Sequence, residues 1–147
     1  MTNPSPTRDP IASLQSPAKN PAAPCPCGTG LPYSACCGRW HHGPQHLQAP
    51  TAEALMRSRY TAYVLDLLNY VRDTWHPQTR PAQLEPNPVG LKWLGLEVRR
   101  HIVQDDKHAQ VEFVARSRLH GRAQRLHELS RFVREDERWL YVDGEIR

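Results

Sequence analysis

The four cysteines of this chain all fall between positions 25 and 37, in the run Cys25-Pro-Cys27-Gly-Thr-Gly-Leu-Pro-Tyr-Ser-Ala-Cys36-Cys37. Thiolates bind tetrahedral zinc readily, and a closed structural site takes four ligands. Between the two pairs, Gly28, Gly30 and Pro32 suit a tight reversal that returns the second pair to the first. The spacing therefore points to Cys25, Cys27, Cys36 and Cys37 holding one cation as a small knuckle. A disulfide-stapled loop is the competing expectation. Adjacent Cys36 and Cys37 cannot bridge one another without strain. Residues 1–24 also lack the apolar core of a secretory leader, so the thiols are expected to stay reduced, in the cytoplasm. Zinc suits four thiolates, and a mononuclear iron site with the same donors and geometry is the alternative. His41, His42 and His46 follow closely and are expected outside the ligand set, behind the sulfurs or in solvent.

Acid–base and anion-binding side chains are more scattered. Arg57, Arg59, Tyr60, Tyr63, His76, His127, Glu128 and Arg131 are the candidates, and a pocket of Arg57, Tyr60, Tyr63, His76, His127 and Arg131 is expected from them. Each has a plainer role. Tyr60 and Tyr63 share an apolar helical stripe with Leu67 and suit the core, while Trp75, Trp93 and Trp139 suit packing anchors. Arg57, Glu128 and Arg131 suit a buried charge network, since buried charges are normally paired. On a strand His127, Leu129 and Arg131 face one way and Glu128, Ser130 and Phe132 the other, so His127 and Glu128 cannot act as an adjacent acid–base pair. No catalytic residue is assigned.

The elements that must position these groups begin with a proline-rich stretch. Residues 1–24 hold six prolines and few apolar residues, which predicts a flexible tail. The knuckle spans 25–43, a polar connector follows, and the main domain covers 50–147. Thr51 is the expected cap of a helix carrying Leu55, Met56, Tyr60, Tyr63, Val64, Leu67, Leu68 and Val71 on one side. A break near Leu65 is expected, with Asp66 capping a second helix that ends by Trp75-His76-Pro77. Prolines make a loop of 77–88. Strands follow: Leu94, Leu96 and Val98 alternate, as do Ala109, Val111, Phe113 and Ala115. Further strands are expected over 126–134 and 139–142, with turns at His120-Gly121-Arg122 and Glu135-Asp136-Glu137. Helices then consecutive strands make an α+β domain with the helices on one face of a curved antiparallel sheet.

The run from Cys25 to Gly38 resembles the SEC-C metal-binding motif found at the C-terminus of the SecA translocase, with Cys37 where that version usually has histidine. Met56-Arg57-Ser58-Arg59-Tyr60, Thr74-Trp75-His76-Pro77, His127-Glu128-Leu129-Ser130-Arg131-Phe132 and Trp139-Leu140-Tyr141-Val142-Asp143-Gly144 are similar to the bacterial YchJ-like proteins. That resemblance implies a SEC-C knuckle joined to a cone-shaped, nuclear transport factor-like domain.

Composition bounds the function. The chain has 147 residues, 39% hydrophobic and 23% charged, with a net charge of +4, enough for one domain and a small appendage. No apolar run reaches the roughly 20 residues a spanning helix needs. The expected role is a zinc-binding module docking on a protein partner through its knuckle, with export or ribosome machinery suggested by the translocase motif. A small enzyme with His127 or His76 as base is the alternative. Weak nucleic-acid binding through Arg39, Trp40, His41 and His42 is the other.

Overall fold

In the computed structural model, which describes residues 20–147, a cysteine knuckle leads through three helices into a four-stranded sheet. Helix α1 (Gly38–His41) is a single turn directly after Cys37. Helix α2 (Ala52–Val64) starts where Thr51 Oγ1 accepts the Ala54 N–H at 3.0 Å, the capping role expected of it. It ends at Leu65, and α3 (Leu68–Asp73) follows. Asp66 does not cap α3. It instead closes α2 as the left-handed residue (φ 56°) after its C-terminus, where Leu67 N–H donates to Ala62 O at 2.8 Å, and its carboxylate accepts the Asn87 N–H at 2.9 Å. The expected tail over 1–24 falls mostly on residues outside those described. Residues 20–24 are tied to the knuckle: Tyr33 N–H donates to Ala23 O at 2.8 Å and Ser34 N–H to Pro21 O at 2.9 Å.

The sheet is an antiparallel meander of β1 (Lys92–Val103), β2 (His108–Leu119), β3 (Arg122–Glu135) and β4 (Arg138–Ile146) in that order. Both later hairpins turn on two residues of positive φ, His120-Gly121 and Asp136-Glu137, the twist that flanking strands favour. Alternation in β2 is as expected: Ala109, Val111, Phe113 and Ala115 are buried against the helices. In β1 a bulge between Trp93 and Gly95 leaves Leu94 unpaired and 48% exposed. Trp93 therefore takes the inner position assigned to Leu94, while Leu96 and Val98 keep theirs.

One core serves the whole of this structure. Leu55, Met56 and Tyr60 of α2, Val71 of α3, and Val111, Phe113 and Phe132 of the sheet join Cys25, Cys27, Tyr33, Cys36, Cys37 and Trp40 in a single buried cluster. The knuckle is thus packed into the body of the cone through α2, and it does not hang from it. No helix among the described residues is long and apolar enough to cross a membrane.

Candidate metal centre and cone cavity

Two left-handed glycines build the knuckle. Gly28 (φ 89°) and Gly30 (φ 86°) turn the chain so that Cys25 N–H donates to Leu31 O at 2.9 Å. A 3₁₀ turn over Tyr33–Ala35 then delivers Cys36 and Cys37. The four sulfur atoms lie within 4.8 Å of one another, and Cys27 Sγ is 3.5 Å from Cys36 Sγ. A zinc–thiolate tetrahedron with bonds of about 2.3 Å has edges of about 3.8 Å, so the donor set fits one cation. All four cysteines are buried free thiols, and no disulfide staples the loop.

Electrostatics asks for that cation. The Cys27 and Cys37 thiols hydrogen-bond the Cys25 sulfur and pull its pKa down to about 3. As the donor to Cys25 and Cys27, and buried beside them, Cys37 is pushed far up. Four sulfur donors packed this closely would repel one another once deprotonated, and a positive ion at their centre would offset that repulsion.

Two hydroxyls flank the sulfurs from opposite sides. Thr29 Oγ1 is 3.1 Å from Cys36 Sγ and 3.8 Å from Cys27 Sγ, whereas Thr61 Oγ1 of α2 donates to Cys37 Sγ at 3.4 Å and lies 3.7 Å from Cys25 Sγ. Arg57 Nη1, one turn earlier on α2, donates to the Cys27 carbonyl at 2.8 Å, and its Nε pairs with Glu53 at 3.0 Å. Helix α2 therefore supplies a hydroxyl and a cation to an anionic cluster.

Neither His41, His42 nor His46 belongs to the four-ligand group. His41 is buried and joins the knuckle to α2. Its Nε2–H donates to Ser58 O at 2.8 Å, which leaves Nδ1 to accept the Tyr33 hydroxyl at 2.7 Å. Burial lowers its pKa to about 4, so the ring is neutral at pH 7. Ser58 Oγ in turn donates to Leu55 O at 2.8 Å and accepts Tyr70 O–H at 2.7 Å. His42 and His46 are exposed. The nucleic-acid strip expected over 39–42 is not a stacking surface: Trp40 and His41 are buried, and Arg39 covers the Trp40 ring at 4.4 Å.

A second feature opens between α2 and the inner face of the sheet, a cavity of about 310 Å³. Of the six residues expected to line a pocket, Tyr60 and Tyr63 do so. Arg57 turns instead to the knuckle. His76 Nε2 lies 3.1 Å from Glu135, His127 Nε2 lies 2.7 Å from Glu112, and Arg131 Nε bonds Asp143 at 2.6 Å. Strand parity explains the last two. Ser130 and Phe132 face the core, so His127 and Arg131 face outward. For the same reason Arg57, Glu128 and Arg131 do not form the expected network.

Arg59 and Glu128 bring charge to the cavity. Arg59 is 5% exposed, its Nη1 donates to Val71 O and Thr74 Oγ1 at 2.8 Å each, and its guanidinium stands 4.5 Å over the Tyr141 ring and 5.0 Å over Trp75. Burial lowers its pKa, yet arginine keeps its proton in proteins. Among the described residues no carboxylate stands within 4.0 Å of it, and the negative charge of Glu128 across the cavity acts on it only at a distance. Glu128 Oε2 accepts Ser130 Oγ–H at 2.6 Å and Tyr141 O–H at 3.0 Å. Its side chain lies across Gly144, where a Cβ would overlap the carboxyl group. Trp75 Nε1 and Trp93 Nε1 are buried without an acceptor. Among the described residues no histidine or cysteine lines the cavity, so the expected general base is not assembled there.

Comparison with known proteins agrees with both halves. Residues 51–144 match the model described as "YchJ, middle NTF2-like domain", and residues 23–39 match the SEC-C motif. A UPF0225 protein of Bordetella pertussis is 63% identical over 131 residues, covering 88% of this chain and 98% of that protein. One from Cupriavidus pinatubonensis is 55% identical over 140 residues, covering 91% and 96%. The solution structure of a SEC-C motif containing protein from Rhodopseudomonas palustris superposes with a TM-score of 0.71 at 34% identity, covering 82% of this chain and 96% of that one. A crystal structure of another, from Psychrobacter arcticus, gives 0.67 at 33% identity, covering 84% and 82%. With its cysteine knuckle and its cone both matched, the chain belongs to the YchJ-like family of UPF0225 proteins.

Proposed function

We propose that the chain is a zinc-stapled interaction protein of the cytoplasm, whose knuckle docks on a protein partner. Closure of the sulfur site carries this reading. The four buried cysteines would fill all four positions of a tetrahedral cation and leave none for substrate, which is the pattern of a structural site. When bound, the cation contributes folding free energy and fixes the knuckle; Thr61, Arg57 and His41 then hold the knuckle to α2.

Docking draws support from what stays outside the core. Residues 28–32 between the two cysteine pairs are exposed, and Leu31 among them is 47% exposed. An apolar side chain on a loop that the metal immobilises loses little entropy on binding. The SecA-like motif makes export and ribosome-associated proteins the first partners to screen.

The test is affinity capture with cross-linking from the cytosol of the source cells, using wild type, Leu31→Glu and Cys36→Ser. Leu31→Glu is expected to keep one metal per chain and lose the partner, and Cys36→Ser to lose both. Retention of every partner by Leu31→Glu overturns the docking reading.

A further inference from the structure

We propose that the cone cavity is a binding site for a small aromatic carboxylate that also bears a hydrogen-bond donor, with Arg59 taking the carboxylate and Glu128 the donor. The site is separate from the knuckle loop and does not rest on the docking reading.

The charges set the polarity of the ligand. Arg59 is buried in the cavity wall, uses only Nη1 within the protein, and has no salt-bridge partner among the described residues. Its Nε–H and Nη2 donors form the kind of fork that carboxylates match in bidentate fashion. Glu128 accepts its two protein donors through Oε2, which leaves Oε1 for a donor from the ligand. Gly144 gives the Glu128 side chain the room to lie as it does.

The walls set the body of the ligand. Tyr60, Tyr63, Trp93 and Phe113 surround the space with ring faces and edges, and rings pack best on flat apolar groups. At about 310 Å³ the cavity stands at the small end of ligand sites, so the occupant is smaller than a drug-sized molecule.

Other occupants fit less well. A purely apolar guest leaves Arg59 unmatched, and a simple cation meets Arg59. An inorganic anion leaves the aromatic walls unfilled, while a dicarboxylate puts its second charge against Glu128.

The test titrates the metal-loaded full chain with 4-hydroxybenzoate, 3-hydroxybenzoate, 4-hydroxyphenylacetate, benzoate and methyl 4-hydroxybenzoate, read by tryptophan fluorescence and calorimetry. At least one hydroxy acid is expected to bind saturably at one per chain, with the methyl ester about 10- to 100-fold weaker for loss of the charged hydrogen bonds. Glu128→Gln, whose amide oxygen still accepts Ser130 and Tyr141, is expected to reduce the preference for the hydroxy acid over benzoate. Arg59→Gln is expected to abolish the preference for acid over ester. Should Arg59→Gln unfold, the acid–ester pair on wild type decides the same point. No binding by any member at millimolar concentration overturns the proposal, as does an ester that binds as tightly as its acid, or an unchanged preference in Glu128→Gln.

Discussion

His41 gives the structure a pH dependence whose size follows from its surroundings. The ring is 5% exposed, its Nε2–H is committed to Ser58 O, and its Nδ1 accepts the Tyr33 hydroxyl. A second proton on Nδ1 would reverse the Tyr33 bond, making the hydroxyl accept, and would charge a buried ring. The pKa accordingly falls from 6.5 to about 4 in the folded protein. Between those values the unfolded chain binds the proton and the native chain does not, so acid favours unfolding. Integrating over pH 7 to 5 gives a loss of about 2 kcal/mol from this one group. His41→Gln keeps a donor for Ser58 O and removes the titration. At pH 7 it is expected to cost about 1 kcal/mol, because the buried Tyr33 hydroxyl loses its 2.7 Å acceptor and keeps only His42 Nε2 at 3.2 Å. Urea unfolding of both metal-loaded proteins at pH 7 and pH 5 isolates the effect, since acid displacement of the cation is common to the two. The wild type should lose about 2 kcal/mol more than the variant over that interval. Parallel losses would show that His41 titrates normally and that the Tyr33–His41–Ser58 link is not formed in solution.

Three further outcomes follow from the same geometry. Thr61→Val removes the α2 hydroxyl from Cys25 and Cys37 and is expected to weaken cation affinity about 10- to 100-fold in chelator competition. Gly38→Ala would place a Cβ 2.7 Å from the Tyr33 carbonyl oxygen, a backbone atom with little freedom to yield, and should lower stability by about 1–3 kcal/mol in thermal melts. Glu112, on the outer face, has its pKa held below the usual 4.5 by His127 and Arg100. Its contribution is therefore present above the carboxylate range and lost as pH falls through its folded value. The stability gap between wild type and Glu112→Gln should close on acidification, and a gap that persists below that range would contradict the pairing.

Much of the fold could be read in the sequence because it rests on local rules. The Thr51 cap, the break at Leu65, the period-2 pattern of β2 and both strand turns are short-range features, and each appears where expected. Errors arose where tertiary context decides. Asp66 could cap or turn, and the left-handed geometry needed between α2 and α3 selected the turn. In β1 the bulge at Leu94 changed the parity of the strand and put Trp93 inside. The cysteine set was visible because four identical ligands leave no choice. The cavity residues were less so: Arg57 and Arg59 look alike in sequence, but α2 turns one to the knuckle and the other to the cone. Thr61 gave no signal, since a threonine among tyrosines on a helix carries no mark of touching sulfur.

The most direct test of a cation clamped by both cysteine pairs is X-ray absorption at the metal edge of protein purified without a metal-affinity resin. One metal per chain surrounded by four sulfurs at about 2.3 Å is the predicted result. A shell containing nitrogen or oxygen, or a chain that folds to the same stability with no metal at all, would contradict it.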